Sequence, residues 1–390
     1  MPTARGWSVL GAGLGLVVLW VVFGELELLA VGAATALAVP MAAAWVRLSA
    51  PTITVDRSLI PSVTQAGGDV RVRLSVTNHG RVPVSTAHLS DPIPGLGTAG
   101  ATLARLDGRS TAAVPYRLVA RRRGIFSIGP AALTVQDPLG LASVTRVAGP
   151  RDTLVVHPRL EPMRGVPVVR GRDPSTDAVH PEFASRGGED FYTIREYRQG
   201  DDLRRVHWPT TARIGELMIR QLETPWQSRG LVLLDTRAQV YDEEAAFETA
   251  VRGAASIFDH LRRAGFELDL LAGSTRVRAS DPGARSRAME VLAGVTPNPA
   301  LDVLAVASRL RAGLGGGALI VITGTADDRL LRAARLLASD HASVAVAAVT
   351  RAPIGAAAVP GTRTSVAAIA PDEPWAVTWD RMQGRAWAGA

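Results

Sequence analysis

Two long apolar runs occupy the first 50 residues, and they constrain the fold more than any other feature of the chain. Residues 7–23 and 28–46 contain no charged side chain, and Gly24-Glu25-Leu26-Glu27 separates them. One continuous helix over both runs would be about 60 Å long, twice the roughly 30 Å hydrocarbon core of a bilayer. The pattern therefore predicts two transmembrane helices joined by a tight turn, within residues 1–50.

The charges that flank these runs predict an orientation. Arg5 precedes the first run and Arg47 follows the second, whereas the turn between them carries only acidic residues. By the positive-inside rule, both helix ends and everything after Arg47 face the cytoplasm. A cleaved signal peptide is the alternative, but the second apolar run and Arg47 argue against it.

Composition excludes several classes of chemistry. The 43 basic residues are all arginine, and the chain has no cysteine. Without lysine there is no Walker A ATPase and no Schiff base, and without cysteine there is no thiol nucleophile or thiolate metal site. The seven histidines are far apart, and the arginines of this chain of net charge +7 are dispersed. We therefore expect no enzymatic activity, no cofactor, no metal and no nucleic-acid partner.

Residues 51–160 have the pattern of a β-rich domain. Residues 70–78 alternate apolar and polar side chains, as a half-buried strand does. Glycine, proline, asparagine and aspartate punctuate shorter runs at 53–55, 84–89, 114–119, 132–135 and 153–156. Many short strands with regular turns predict an all-β sandwich of the immunoglobulin or fibronectin type.

Residues 229–390 read as an α/β domain with a doubly wound sheet. The apolar run 231–234 ends in Asp235, and a long helix is expected to follow, capped by Asp242 and ended by Gly265. Further strands are predicted at 266–271, 318–323 and 343–349, and helices at 284–293, 300–313 and 327–338. The tail after Val349 contains Trp375, Trp379 and Trp387, and it forms a strand, a helix or a docking segment. Ligands of such sheets bind beyond the carboxyl ends of the strands, which directs attention to Asp235 and Thr323.

The region 161–228 is read as a linker and a charged, aromatic segment, 187–213, with three open interpretations. It completes the α/β domain, with Asp201 and Asp202 capping a helix over 203–208. Alternatively, its arginine, tyrosine and tryptophan side chains form a surface for a protein partner. In the third interpretation, His207 works with Asp201 or Asp202 as an acid/base pair.

This segment resembles the signature of a bacterial family, the domain of unknown function fifty-eight. The resemblance rests on Arg195-Glu196-Tyr197, Gly200-Asp201-Asp202, Arg204-Arg205, Trp208 and Ala212-Arg213. Arg123-Gly124 with Gly129-Pro130, and Asp137-Pro138-Leu139-Gly140-Leu141, look like two further elements of the family, both with the composition of tight turns. Gln199 departs from the family pattern, which has proline before the glycine. Members are membrane-anchored and carry a von Willebrand factor A-like domain, so the resemblance implies both features here.

The resemblance also implies a degenerate metal site. Von Willebrand A domains bind a cation through an Asp-x-Ser-x-Ser motif, a threonine and an Asp-Gly. Here Asp235 matches, but Arg237 and Gln239 replace the two serines, and Thr323-Gly324 stands where Asp-Gly is expected. A divalent cation prefers several oxygen ligands with net negative charge. We hypothesise that Arg237 pairs with Asp235 and takes the place of the metal.

The function that the resemblance implies is that of an adaptor. Family members look like partners of MoxR-type AAA+ ATPases in the chaperone-like assembly of envelope complexes, with the signature residues at the partner surface. Two alternatives are a structural envelope scaffold with no ATPase partner, and a membrane-associated hydrolase that uses Asp202 and His207.

Overall fold

The computed structural model describes residues 1–48, 52–84, 87–103, 105–165, 192–197, 203, 206–222, 229–300, 305, 317–338, 341, 343–351 and 364–386. The chain divides into two compact units, Met1–Arg159 and Leu160–Ala390.

The N-terminal unit begins with the two expected helices. Helix α1 spans Ala4–Phe23 and helix α2 spans Leu26–Leu48, and both are long and apolar enough to cross a membrane. Gly24 adopts φ +74° and ends α1, which allows the tight reversal of the chain. The helices approach closely at Gly13, where a Cβ atom would lie 2.6 Å from the backbone nitrogen of Ala36. Only a glycine fits at this crossing.

Among the described residues, the rest of this unit forms ten strands, which confirms the β-rich prediction. They are β1 (Ile53–Ile60), β2 (Val63–Gln65), β3 (Asp69–Asn78), β4 (Ala87–Ile93), β5 (Gly97–Leu103), β6 (Thr111–Val119), β7 (Gly124–Ile128), β8 (Ala131–Gln136), β9 (Ser143–Ala148) and β10 (Asp152–His157). They pair as three sheets, in the orders β1-β3-β6, β2-β10-β7 and β5-β4-β8-β9. Alternate residues of β3 are buried in one apolar core that all three sheets share.

A buried ion-pair network joins the three sheets. Arg57 on β1 donates to Asp91 on β4, with Nη2 2.6 Å from Oδ1, and to Asp152 on β10, with Nη1 2.6 Å from Oδ2. Arg57 and Asp91 are almost fully buried, and Tyr116 on β6 donates its hydroxyl to Asp91 at 2.6 Å. The planar guanidinium reaches two carboxylates at once, which a lysine ammonium does less well.

Strand β7 lies in a segment whose composition predicted tight turns. Gly129 has φ +83°, as the turn composition predicts, but Gly124–Ile128 pairs in antiparallel register with β10. Phe126 packs against the shared core, and Ile128 is buried within it. Burial of these two side chains outweighs the turn preference of the flanking glycines.

The C-terminal unit contains a six-stranded sheet, as predicted for a doubly wound fold. Its strands are β13 (Arg229–Leu234), β14 (Glu267–Ala272), β15 (Thr275–Val277), β16 (Ala318–Thr323), β17 (Ser343–Val349) and β18 (Thr364–Ile369), in the order β15-β14-β13-β16-β17-β18. All neighbours are parallel except β15, which pairs antiparallel with β14. Helices cover both faces, namely α4 (Glu244–Arg263), α5 (Ala284–Gly294), α6 (Asp328–Ala338) and α7 (Trp375–Ala386). Val232 and Leu234 pack with α4, α5 and α7, whereas Leu231 and Leu233 pack with α6, so residues 231–234 of β13 are apolar on both faces.

A smaller β–α element precedes this sheet in the same unit. It consists of β11 (Tyr192–Glu196), α3 (Trp208–Ile214) and β12 (Met218–Leu222), and we call it the signature module. β11 and β12 pair antiparallel, and Val206 bridges to Ile219 on β12.

Two predicted helix features differ in the structure, and a third prediction falls mostly outside the described residues. Asp242 is not the cap of α4: the helix begins after Glu243, whose side chain makes no capping bond. The helix expected over 203–208 does not continue through to Trp208, because Val206 forms a β-bridge with Ile219 and helix α3 begins only at Trp208; residues 204 and 205 lie outside the described residues. Apart from Ala300, which lies in a turn, and Ala305, the helix predicted over 300–313 lies outside the described residues.

The C-terminal tail forms both a strand and a helix, and it completes the core. Strand β18 extends the sheet, while Trp375 and Trp379 of α7 are buried against α4. The ring of Trp375 lies over Gly253, where a Cβ atom would be 2.1 Å from its Cε2, and its indole Nε1 donates to the Thr249 carbonyl at 2.8 Å. Trp387 lies outside the described residues.

We expect Gly253→Ala to destabilise the C-terminal unit, although alanine is the better helix former. The added methyl group displaces the Trp375 ring, and overpacking of this kind costs about 1–3 kcal/mol. Hydrogen exchange in α4 measures the free energy of opening. In a Trp375→Leu background the same substitution should cost nothing further. An equal penalty in both backgrounds would show that the tryptophan is not the cause.

Candidate functional site

The candidate site lies at the carboxyl ends of β13 and β16, where the strand order reverses. The chain passes from β13 to β14 on one side of the sheet and later returns to β16 on the other side. In open α/β sheets such a switch point leaves a crevice between two loops. The loop after β13 carries Asp235 and Arg237, and the end of β16 carries Thr323. The structure therefore brings these three predicted site residues together.

Arg237 and Asp235 form a buried ion pair. Nη2 of Arg237 lies 2.8 Å from Oδ2 of Asp235, and Nε lies 3.1 Å from both carboxylate oxygens. The backbone N–H of Arg237 donates to Oδ1 at 3.0 Å. The Asp235 and Arg237 side chains are 0% and 2% exposed. The predicted pairing is thus present, and its bonds are charge-assisted and shielded from solvent.

Asp327 is a second carboxylate on the same guanidinium. Nη1 of Arg237 lies 2.8 Å from its Oδ2, and Nη2 lies 2.9 Å from its Oδ1. The other role of Asp327 is to accept from the backbone N–H of Leu330 at 2.9 Å, in the first turn of α6. Arg237 therefore links the end of β13 to the start of α6 in a bidentate geometry that lysine cannot reproduce.

The remaining polar groups of the site also have partners. Oγ1 of Thr323 donates to Oδ2 of Asp235 at 2.9 Å, and the hydroxyl of Tyr241 donates to the backbone carbonyl of Asp235 at 2.5 Å. Gly324 lies so close to this loop that a Cβ atom would be 2.0 Å from the Val240 carbonyl oxygen. Gln239 lies in the 3-10 turn Ala238–Val240 and is exposed. Of the two residues at the serine positions, only Arg237 enters the site.

The electrostatics of the cluster favour fixed charges. Burial alone would lower the pKa of Arg237, but hydrogen bonds to Asp327 and Asp235 raise it above its ordinary value. The hydrogen bond from Arg237 lowers the pKa of Asp327, and burial followed by the charge of Asp235 raises the pKa of Tyr241. All three groups therefore keep one protonation state near neutral pH, as suits a structural clamp rather than a proton-transfer site.

These residues are poorly suited to a divalent cation. Both oxygens of Asp235 already accept hydrogen bonds from Arg237, so a cation reaches them only by displacing the guanidinium. Among the described residues, no group of three or more histidine, aspartate or glutamate side chains is arranged to hold a metal. The donor set does not fit the metal site that the resemblance implies for an intact von Willebrand A domain.

Several of the signature residues identified in the sequence lie on the surface of the signature module. Trp208, Arg213 and Glu196 are exposed, and Tyr197 is partly exposed, with its backbone N–H donating to the Leu217 carbonyl at 2.8 Å. Arg195 lies in β11, paired with Ile219. Gly200, Asp201, Asp202, Arg204 and Arg205 lie outside the described residues.

Four large apolar side chains share the surface of this module. Trp208 is 67% exposed, and the others are Leu203, Ile214 and Leu217, at 59, 56 and 40%. Val206, Met218 and Ile219 of the same segment are buried. We call the four exposed residues the apolar patch; Trp208 and Ile214 lie on α3, and Leu203 and Leu217 lie before and after it. Exposed large apolar side chains close together in the chain are typical of an interaction site.

His207 has a structural role in this module. It is the N-cap residue of α3, and its Nδ1 lies 3.3 Å from the backbone nitrogen of Thr210 and 2.7 Å from Oγ1 of that threonine. Pro209 supports the helix start, and Gly215 at φ +84° ends it. The use of Nδ1 as a cap does not favour the acid/base interpretation.

Asp327 and Tyr241 belong to the site but were missed by sequence reasoning. Asp327 follows Thr323 by four residues and precedes a helix, so its capping role is readable from the sequence. Its contact with Arg237 depends on how the two loops meet across the sheet edge. Nothing in the sequence around Tyr241 predicts a role in the site, apart from its position shortly after strand β13.

Comparisons with known proteins support part of the resemblance. The family described as "Protein of unknown function DUF58" matches residues 193–353, which is less than half of the chain but contains both the signature module and the Asp235 site. No curated protein matches the chain.

Two solved structures resemble part of the chain. One is the crystal structure of the CARDB domain of a Pyrococcus furiosus protein in complex with di-metal ions, with 16% identity and a TM-score of 0.22, covering 27% of this chain and 93% of that one. The other is a solution NMR structure of the same domain, with 15% identity and a TM-score of 0.22, covering 27% and 94%. These TM-scores are too low to support an inference about this chain.

We expect Arg237→Ala to destabilise the C-terminal unit strongly. The substitution leaves Asp235 buried without its counter-charge, and breaking a buried pair from one side costs about 3–5 kcal/mol. Hydrogen exchange in β13 and β16 measures the loss. Gln239→Ala, two residues away on the surface, is the matched control and should change stability by less than about 0.5 kcal/mol. Equal, small effects of both substitutions would contradict the clamp.

Proposed function

We propose that this protein is a membrane-anchored adaptor that binds protein partners through the signature module. The apolar patch is the single observation that carries the proposal, because Trp208 is largely exposed whereas Val206, Met218 and Ile219 of the same segment are buried. Tryptophan and arginine dominate interface hot spots, and Arg213 is exposed in the same helix as Trp208. A patch of this composition favours protein binding over catalysis.

The proposed partner is a MoxR-type AAA+ ATPase, and the proposed role is chaperone-like assembly of envelope complexes. Support comes from the resemblance of the signature segment, together with the DUF58 match over 193–353. A lysine-free chain has no Walker A motif, so nucleotide-driven work would have to come from a partner.

In this proposal the C-terminal unit is a von Willebrand A-like domain whose metal is replaced by Arg237. Support comes from the strand order, with its single antiparallel edge strand, and from the position of Asp235 at the end of the central strand β13. The guanidinium supplies positive charge to Asp235, as a cation would. The β-rich unit is proposed to be a sandwich of the immunoglobulin or fibronectin type, and the single apolar core that its sheets share supports this.

We further propose that α1 and α2 cross the membrane and leave both units in the cytoplasm. Apolar side chains are exposed along both helices, and Arg5 and Arg47 flank them at the end opposite to Glu25 and Glu27. Cytoplasmic flanks are enriched in arginine, which favours this orientation.

Partner capture from native membranes tests the adaptor role. Crosslinking and mass spectrometry should recover an AAA+ ATPase with the wild-type protein and not with Trp208→Ala/Ile214→Ala. Loss of a hot-spot tryptophan costs at least about 2 kcal/mol of binding, or roughly thirtyfold in affinity. Leu336→Ala/Val377→Ala removes two exposed apolar residues elsewhere in the same unit and should retain the partner. Capture that is equally strong with all three forms would contradict the assignment of the patch, and the absence of any ATPase from the wild-type sample would contradict that partner.

The orientation is testable by cysteine labelling, because the native chain has no cysteine. A membrane-impermeant maleimide should label Glu25→Cys in intact cells. It should label Glu290→Cys, an exposed position in α5, only after the cells are permeabilised. The reverse pattern would place both units outside the cytoplasm.

A further inference from the structure

The loop between β8 and β9 is attached to the start of α1. The backbone N–H of Thr3 donates to the Leu141 carbonyl at 2.9 Å, and Oγ1 of Thr3 donates to the Gly140 carbonyl at 2.6 Å. The backbone N–H of Ser143 donates to the Met1 carbonyl at 2.8 Å. Since Thr3 is the N-cap of α1, the loop is fixed to the first turn of that helix.

The same loop also contacts the end of α2. Leu141 and Ala142 form one buried apolar cluster with Ala42 and Val46. On α1, a Cβ atom at Gly6 would lie 2.1 Å from the Leu141 carbonyl oxygen, so the loop backbone rests directly on the helix. The two helices and the β-rich part of the N-terminal unit are therefore joined by packing as well as by the chain itself.

Asp137 makes the loop rigid and presents Leu139 to the outside. Oδ2 of Asp137 accepts from the Leu139 backbone N–H at 2.9 Å, and Oδ1 accepts from that of Ala142 at 2.6 Å. The Asp137 side chain is buried, so its carboxylate interacts with the backbone of the loop and not with solvent. Leu139 is 71% exposed at the tip. An ordered turn that exposes a leucine and no charge is suited to contact with an apolar environment such as lipid.

The length of the helices sets the level of this loop relative to a bilayer. Counting from the Gly24-Glu25 turn, a hydrocarbon core of about 30 Å takes up about 20 helical residues. That distance ends near Ala4 in α1 and near Trp45 in α2. Trp7 and Trp45 are 62% and 59% exposed near this level, as expected for tryptophans at a membrane interface.

We propose that the loop 137–142 lies in the bilayer interface and inserts Leu139 among the lipids. The inference rests on the proposed membrane anchoring. Leu141 contacts Gly6 and Val46, both within about one helical turn of the calculated boundary. Leu139, two residues away in the chain, therefore lies within about 7 Å of that depth. Arg5 and Arg47 are exposed at this level and suit anionic headgroups. The β-rich part thereby becomes a fixed extension of the anchor rather than a domain on a loose tether.

Spin labelling of the full chain in nanodiscs tests this proposal directly. Nitroxides are placed one at a time at Leu139→Cys, Ile125→Cys and Val18→Cys, in bilayers of phosphatidylcholine and phosphatidylglycerol. Collisions with oxygen report lipid exposure, and collisions with a water-soluble nickel chelate report water exposure. Ile125 is the matched control, because it is 56% exposed on β7, which pairs with β10 and not with β9. Val18, in the middle of α1 and 62% exposed, reports on the anchor itself.

The oxygen-to-nickel collision ratio at Leu139→Cys should be several-fold higher than at Ile125→Cys and lower than at Val18→Cys. A ratio at Leu139→Cys equal to that at Ile125→Cys, with Val18→Cys in lipid, would overturn the loop proposal and leave the anchor intact. A water-exposed label at Val18→Cys would instead overturn the anchoring and this inference with it.

Discussion

The buried pair of Asp235 and Arg237 is the interaction on which the C-terminal unit depends. A carboxylate with no solvent exposure, at the end of a central strand, requires a counter-charge, because an isolated buried charge costs several kcal/mol. Here that charge comes from within the chain, and it also holds Asp327 at the start of α6. One guanidinium thereby fixes both loops at the switch point of the sheet, which is the usual ligand position in open α/β sheets.

The N-terminal unit uses the same device in a different setting. Arg57 links Asp91 and Asp152 as Arg237 links Asp235 and Asp327, and each arginine joins strands or helices that are distant in sequence. A planar guanidinium bridges two carboxylates at fixed angles, whereas an ammonium group acts as a point charge. In a chain whose basic residues are all arginine, such bridges are available wherever two aspartates converge.

The sequence pattern predicted strands whose apolar residues are consecutive in the chain. It failed where pairing between distant segments determines the secondary structure. The runs 318–323 and 343–349 form strands with those bounds, because strands buried on both faces must be apolar throughout. Gly124 and Gly129 led to the prediction of turns where strand β7 forms. The strand was not predicted because its pairing with β10 joins segments that are distant in the sequence. The Asp235–Arg237 pair was inferred from substitution in a motif, but Asp327 was not, since its role appears only when two loops meet. The apolar patch likewise required knowledge of which side chains the signature module leaves exposed.

We propose that Arg237 occupies the position that a metal ion holds in von Willebrand A domains, and that the signature module, rather than a cation, engages the partner. Titration of the full chain with Mg²⁺ by calorimetry tests this proposal, with Asp235→Asn as the reference. We expect no saturable binding at Asp235, and therefore the same heats for the wild type and the variant. One tightly bound equivalent of Mg²⁺ in the wild type, lost in Asp235→Asn, would contradict it.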